Sequence, residues 1–189
     1  MQLDFRRPPL YHFKKQLKRL GVIGQIKNDF VTFETDKHGY KSALMNQFFI
    51  VQLVAMLQAH IEHLVRFHYK FPNGNIRLNP NYCNKKHFLK TLNSFGSPSA
   101  NQIDRMFQTI FRKKNIMSKV CAGALTNKET LETLKKMLSY RHTFAHTGDS
   151  VSTPLDDLIV QHYREFVLNF AESLNNIVYS LLYNSKDQQ

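Results

Sequence analysis

Three observations predict an all-α chain. Apolar residues recur every three to four positions through several long stretches, the spacing of one face of a helix. Two Ser/Thr-x-x-Gln/Glu patterns, Ser99 with Gln102 and Thr126 with Glu129, carry the reciprocal donors and acceptors that open helices. Breaks rich in Pro, Gly, Asn and Ser at 71–75 and 96–98 separate the periodic stretches.

Residues 10–20 form a short basic helix through Leu10, Phe13, Leu17 and Leu20, ended by Gly21 and Gly24. Residues 25–34 place Ile26, Phe30 and Phe33 among polar residues and suit an extended arm or one strand. Asp36, Lys37, His38 and Gly39 read as a turn. The strongest helix is 42–70. Leu44, Phe48, Phe49, Val51, Leu53, Val54, Met56, Leu57, Ile61, Leu64, Val65 and Phe67 lie nearly all round it, so it is expected to be central and buried. Its length raises a membrane span. However, Gln47, Gln52, Gln58, His60, Glu62, His63 and Arg66 interrupt it. Their cost in lipid argues for a core helix without a membrane, and for a subunit interface.

A loop over 75–84 leads to a short helix at 85–94. Ser99 opens a helix at 99–113 with Ile103, Met106, Phe107, Ile110 and Phe111 on its apolar face. Thr126 opens the next, lined by Leu131, Leu134, Met137 and Leu138. Thr153 and Pro154 cap a last long helix running to Tyr183. With 189 residues, one domain is expected, organised as a basic helix and arm (1–41), a helical domain (42–183) and a tail (184–189).

The 26 Lys and Arg against 14 Asp and Glu give a net charge of +12. A field of that size favours an anionic partner, nucleic acid first. The cations cluster as Arg6, Arg7, Lys14, Lys15, Lys18 and Arg19, then Lys85, Lys86 and Lys90, then Arg112, Lys113 and Lys114. Such clusters contact phosphates with little sequence preference. Two cysteines, Cys83 and Cys121, are too few for a disulfide scaffold and read as packing residues in a reducing cytosol. The N-terminal stretch lacks the apolar core of a signal peptide, so a cytoplasmic location is expected. His60 and His63 form an H-x-x-H without further ligands at metal spacing, and neither a metal nor another cofactor is expected.

The chemistry concentrates at Ser139-Tyr140-Arg141-His142-Thr143-Phe144-Ala145-His146-Thr147-Gly148. Arginine is a permanent cation whose planar fork fits phosphate. Histidine takes and gives protons near neutral pH. Together they can bind a phosphodiester, deprotonate a hydroxyl and stabilise developing charge. Arg141 and His146 are five residues apart, a rotation of about 140° on a regular helix. The helix is therefore expected to end or bend within the motif, with Gly148 as terminator.

The wording Arg-His-Thr-Phe-Ala-His-Thr-Gly resembles the Arg-Asn-x-x-Ala-His-Gly form of the HEPN superfamily (higher eukaryotes and prokaryotes nucleotide-binding domains). The order of helices over about residues 40–183 is similar to its RiboL-PSP-HEPN branch. The resemblance implies a HEPN-like helical bundle of long antiparallel helices. It implies metal-independent cleavage of RNA, with Arg141 on the phosphate, His146 as general base and His142 as a second acid/base or a substrate contact. Glu62 is then a candidate orienting acid for Arg141 or His146; its other reading is a pair with Arg66 one turn on. The resemblance further implies a homodimer with a composite active site, and a toxin or anti-phage role with a cognate antitoxin or a larger defence complex. HEPN toxins silenced by nucleotidylation carry a tyrosine two residues after the histidine. Gly148 stands there, so that control is not expected. The competing reading is a basic module that binds RNA or protein without catalysis.

Overall fold

Burial of the apolar stripes organises the molecule around one helix. The computed structural model describes residues 7–31, 38–70, 82–146 and 155–183. Among these there is no strand. The helices are α1 (Pro9–Val31), α2 (His38–Lys70), α3 (Lys85–Asn93), α4 (Ala100–Phe111), α5 (Asn127–His146) and α6 (Asp157–Tyr183), with a 3-10 turn at Met117–Lys119. The all-α expectation holds. On α2, Ile50, Leu53, Val54, Leu57, Ile61, Leu64 and Val65 are fully buried. Each such side chain contributes about 1.5–3 kcal/mol. The stretch Ser42–Lys70 is long and apolar enough to cross a membrane by composition; here its apolar face packs against the other long helices. Its solvent side still exposes Leu44 and Phe48.

Side-chain pairs set the directions. Asn46 near the start of α2 donates to the Leu155 carbonyl (2.7 Å) and to Asp157 Oδ1 (2.9 Å) at the start of α6. At the other end His68 Nδ1 shares a hydrogen bond with the Tyr183 hydroxyl (2.8 Å). Thus α2 and α6 run parallel. Helix α1 runs against both: Phe13 packs on His60, and Lys14 pairs with Glu172. Helix α5 also runs against α6. The Cys121 amide before it donates to Ser173 Oγ, and Tyr140 near its end packs on Tyr163. Consecutive long helices are therefore antiparallel, as expected. Helices α3 and α4 cover the C-terminal part of α2, where Tyr69 stacks on Phe88 (3.8 Å between ring centroids) and donates to the Cys83 carbonyl (3.0 Å).

The structure corrects several sequence expectations. Gly21 and Gly24 do not end α1, which runs to Val31, so residues 25–31 of the expected extended arm are helical instead, and 32–34 lie outside the described residues. A helical glycine costs only about 1 kcal/mol relative to alanine. Burial of Phe13, Leu17 and Leu20 in the shared core outweighs it. His38 and Gly39 already belong to α2 rather than to a turn; Asp36 and Lys37 lie outside the described residues. Helix α4 stops at Phe111, because Arg112 takes a left-handed conformation (φ 60°). Cys121 is exposed, not packed. The last helix is capped by Asp156, whose Oδ1 accepts from the Ile159 amide (2.7 Å); Thr153 and Pro154 lie outside the described residues. Ser99 caps α4 as expected, but Gln102 reaches back to the Ser97 amide rather than to Ser99.

Candidate active site

The helix that carries the motif is pinned at its start. Thr126 and Glu129 make the expected reciprocal cap: Glu129 Oε2 accepts from the Thr126 amide (2.8 Å) and hydroxyl (2.7 Å), and the Glu129 amide donates to Thr126 Oγ1 (3.3 Å). These bonds hold the Glu129 carboxyl below the usual carboxylate range. Asn127 donates to the carbonyls of Met117 (2.7 Å) and Val120 (2.8 Å), and buried Thr130 accepts from the Ala122 amide (2.9 Å). The turn before α5 needs Gly123. Its φ is +64°, and a Cβ there would lie 2.8 Å from Asn169 Nδ2.

From that start, Thr130, Leu134, Met137 and Tyr140 form the buried face of α5. Tyr140 stacks in parallel on Phe144 (6.4 Å, 11°) and meets Tyr163 edge-on (5.9 Å, 75°). Burial, then the neighbouring Tyr140, pushes the Tyr163 phenol up to about 12, so it stays neutral. Arg141 leaves the helix beside this aromatic platform and is partly exposed, while His142 is exposed. The structure describes only the backbone of His146, which closes α5; Thr147 and Gly148 lie outside the described residues.

No bend falls between Arg141 and His146, since α5 is helical through His146; the expected terminator Gly148 lies outside the described residues. The backbone positions of Arg141 and His146 are therefore about 140° apart around the helix axis. Because α5 and α6 are antiparallel and Tyr140 faces Tyr163, the six residues onward to His146 and the six back to Asp157 reach a similar level, about 9 Å along the axis. The Asn46–Leu155–Asp157 clasp sits there. Sequence reasoning missed that clasp. Its only signal is an amide on the apolar surface of 42–70, and the partner lies more than a hundred residues away.

Glu62 is not brought to the motif. It accepts from Gln58 (3.3 Å), which also donates to the Phe95 carbonyl (3.2 Å), and Arg66 does not hold it either. His60, two residues earlier, lies near Ala171, eight residues beyond Tyr163 on α6. That displaces Glu62 from Arg141 by more than about 12 Å along the bundle.

The basic candidates divide. Arg6 lies outside the described residues. Arg7 covers the Tyr11 ring (4.8 Å to the centroid), and Lys14 pairs with Glu172 (2.6 Å). Lys15, Lys18 and Arg19 are exposed along α1. Lys85, Lys86, Lys90, Arg112 and Lys114 are exposed and Lys113 is half-buried, all at the α3–α4 end. Among the described residues, no three His, Cys, Asp or Glu side chains gather at metal-ligand spacing.

What the arrangement offers is a cation and two imidazole-bearing positions at the end of a rigidly started helix. Neither a curated protein nor a solved structure matches the chain. The profile of the RiboL-PSP-HEPN family matches residues 15–180. Because that match runs from within α1 nearly to the end of α6 and contains Arg141 and His146, the chain belongs to the RiboL-PSP-HEPN family.

Proposed function

We propose that this protein is a metal-independent endoribonuclease of HEPN type. The supporting observation is the Arg141-x4-His146 motif at the end of α5 in a chain of this family, whose members are commonly ribonucleases. The His146 imidazole takes the proton of a ribose 2′-hydroxyl. The freed oxygen attacks the adjacent phosphorus while Arg141 binds the non-bridging oxygens and stabilises their added charge. The 5′-oxygen leaves with a proton supplied by an imidazolium, for which His142 is the candidate. The products are a 2′,3′-cyclic phosphate and a 5′-hydroxyl. DNA lacks the attacking hydroxyl and is spared.

The spacing of positions 141 and 146, about 140° apart around one helix, favours a composite site. A two-fold dimer allows one copy's Arg141 to meet the other copy's His146 across a shared groove. The net charge of +12 supports RNA as the partner. A toxin or anti-phage effector in the cytoplasm, held by a cognate antitoxin or within a larger defence complex, is the biological role this reading carries.

The test is incubation with total cellular RNA in EDTA, followed by mapping of the new ends. Arg141→Ala and His146→Ala are each expected to slow cleavage by at least about a hundredfold, the range of acid–base contributions. Cleavage at the wild-type rate by either variant ends the proposal. The unbroken helix through His146 favours one second reading, a non-catalytic RNA- or protein-binding dimerisation module. In that case RNA binding persists and EDTA-resistant cleavage never appears.

A further inference from the structure

The fold gathers two basic clusters that the sequence keeps apart. The Cys83 amide donates to the Ile110 carbonyl (3.1 Å), and Tyr82 meets Phe111 edge-on (4.8 Å). The start of α3 is thereby stapled to the end of α4. Arg112, turned outward by its left-handed backbone, lies near enough to Cys83 to act on its thiol. Tyr69 bonds the same Cys83, which brings the exposed Lys70 at the end of α2 to this place. Lys86 and Lys90 share the solvent side of α3, one turn apart, opposite buried Phe88 and Leu92. No carboxylate among the described residues pairs with Lys85, Lys86, Lys90, Arg112 or Lys114. Those five side chains therefore make a concentrated positive field.

Its position matters. Tyr140 beside Arg141 packs on Tyr163, whereas Tyr183, twenty residues further along α6, bonds His68 at the patch end. At 1.5 Å per residue these levels are about 30 Å apart. The exposed Lys15, Lys18 and Arg19 of α1 lie at intermediate levels, since His12 packs on His63 and Arg19 lines one open groove with Ala55 and Met56.

We propose that the patch formed by Lys85, Lys86, Lys90, Arg112 and Lys114 is a phosphate-docking surface remote from the motif, and that the favoured substrate is an RNA long enough to engage both. This rests on the ribonuclease reading for the word substrate; the docking surface itself does not. With phosphates about every 3.4 Å along a stacked strand, spanning the distance takes about nine nucleotides.

The experiment measures binding, not cleavage. Fluorescently labelled 2′-O-methyl RNAs, which cannot be cut by 2′-hydroxyl attack, are used at about six and about thirty nucleotides. Wild type is compared with Lys85→Gln/Lys86→Gln/Arg112→Gln/Lys114→Gln, whose thermal unfolding is checked in parallel. The wild type is expected to prefer the long RNA. The variant is expected to lose at least about tenfold on the long RNA only, with a salt-dependence slope smaller by about three, because four phosphate contacts at about 0.7 each are gone. Unchanged affinity and slope overturn the proposal. So does equal loss on both lengths. A protein that shows the length effect but never cuts RNA retains the surface and loses the ribonuclease reading. One that cuts RNA with an inert patch does the reverse.

Discussion

Two buried polar sites on α2 behave in opposite ways. At one end Asn46 is buried and donates to the Leu155 carbonyl just before α6 and to the Asp157 carboxylate at its start. Further along, His60 is equally buried against α1, yet neither ring nitrogen has a hydrogen-bond partner. The carbonyls of Ala171 and Pro9 lie close enough to favour its charged form slightly, but at no hydrogen-bonding geometry. Burial, then neighbouring His63, lowers the His60 pKa to about 4. Burial, then His12 and Arg66, does the same to His63. A satisfied amide ties the helices near the motif. Histidines that must stay neutral fill the seam under α1. The contrast teaches that acid should loosen the α1 seam before it loosens the motif end.

The largest effect tests that contrast directly. The folded pKa of His60, about 4, lies below its unfolded value of 6.5. The fold binds fewer protons, so the stabilising contribution is complete above pH 6.5 and is lost as pH falls toward 4. At 1.36 kcal/mol per unit this amounts to about 3 kcal/mol. Urea denaturation at stepped pH should therefore show wild type losing about 3 kcal/mol more than His60→Leu between pH 6.5 and 4. Parallel curves would remove the neutral-histidine account.

The second effect sharpens the other side. Asn46→Ala leaves the Leu155 carbonyl without its buried donor and should cost about 1–3 kcal/mol, with no added pH dependence over the histidine range. A loss below about 0.5 kcal/mol would mean that the clasp does not tie α6 to α2.

The smallest effect concerns Glu62. It bonds Gln58 and lies more than about 12 Å from Arg141 along the bundle, so Glu62→Gln should leave RNA cleavage within about twofold of wild type, about 0.4 kcal/mol in barrier. A hundredfold loss would return Glu62 to the reaction, through a second copy of the chain.

Much of this protein was legible before any coordinates. Local rules carried it: the capping box at Thr126 and Glu129, the Ser99 cap, the apolar face of 99–113, the central helix and the end of the last helix at Tyr183 all depend on residues within one or two turns of each other. The misreadings share a cause. Gly21 and Gly24 are weak local stops overridden by Phe13, Leu17 and Leu20 packing on distant helices. Glu62 was placed by resemblance, and its level along the bundle, more than about 12 Å from Arg141, follows from how the helices pack. Arg112 ends α4 two residues early because its backbone turns left-handed, a choice its side chain does not advertise.

By itself, the sequence determined the helical class, the basic charge and the Arg141-x4-His146 motif, because periodicity, composition and motif spacing are properties of neighbouring residues. Only the tertiary structure decided that α2 and α6 run parallel, that Asn46 reaches Leu155, and that Lys85 and Arg112 share one surface about 30 Å from the motif level. Those relations join residues with no local link. They exist because burying several apolar stripes at once leaves few arrangements of the helices, and the polar groups meet wherever that packing puts them.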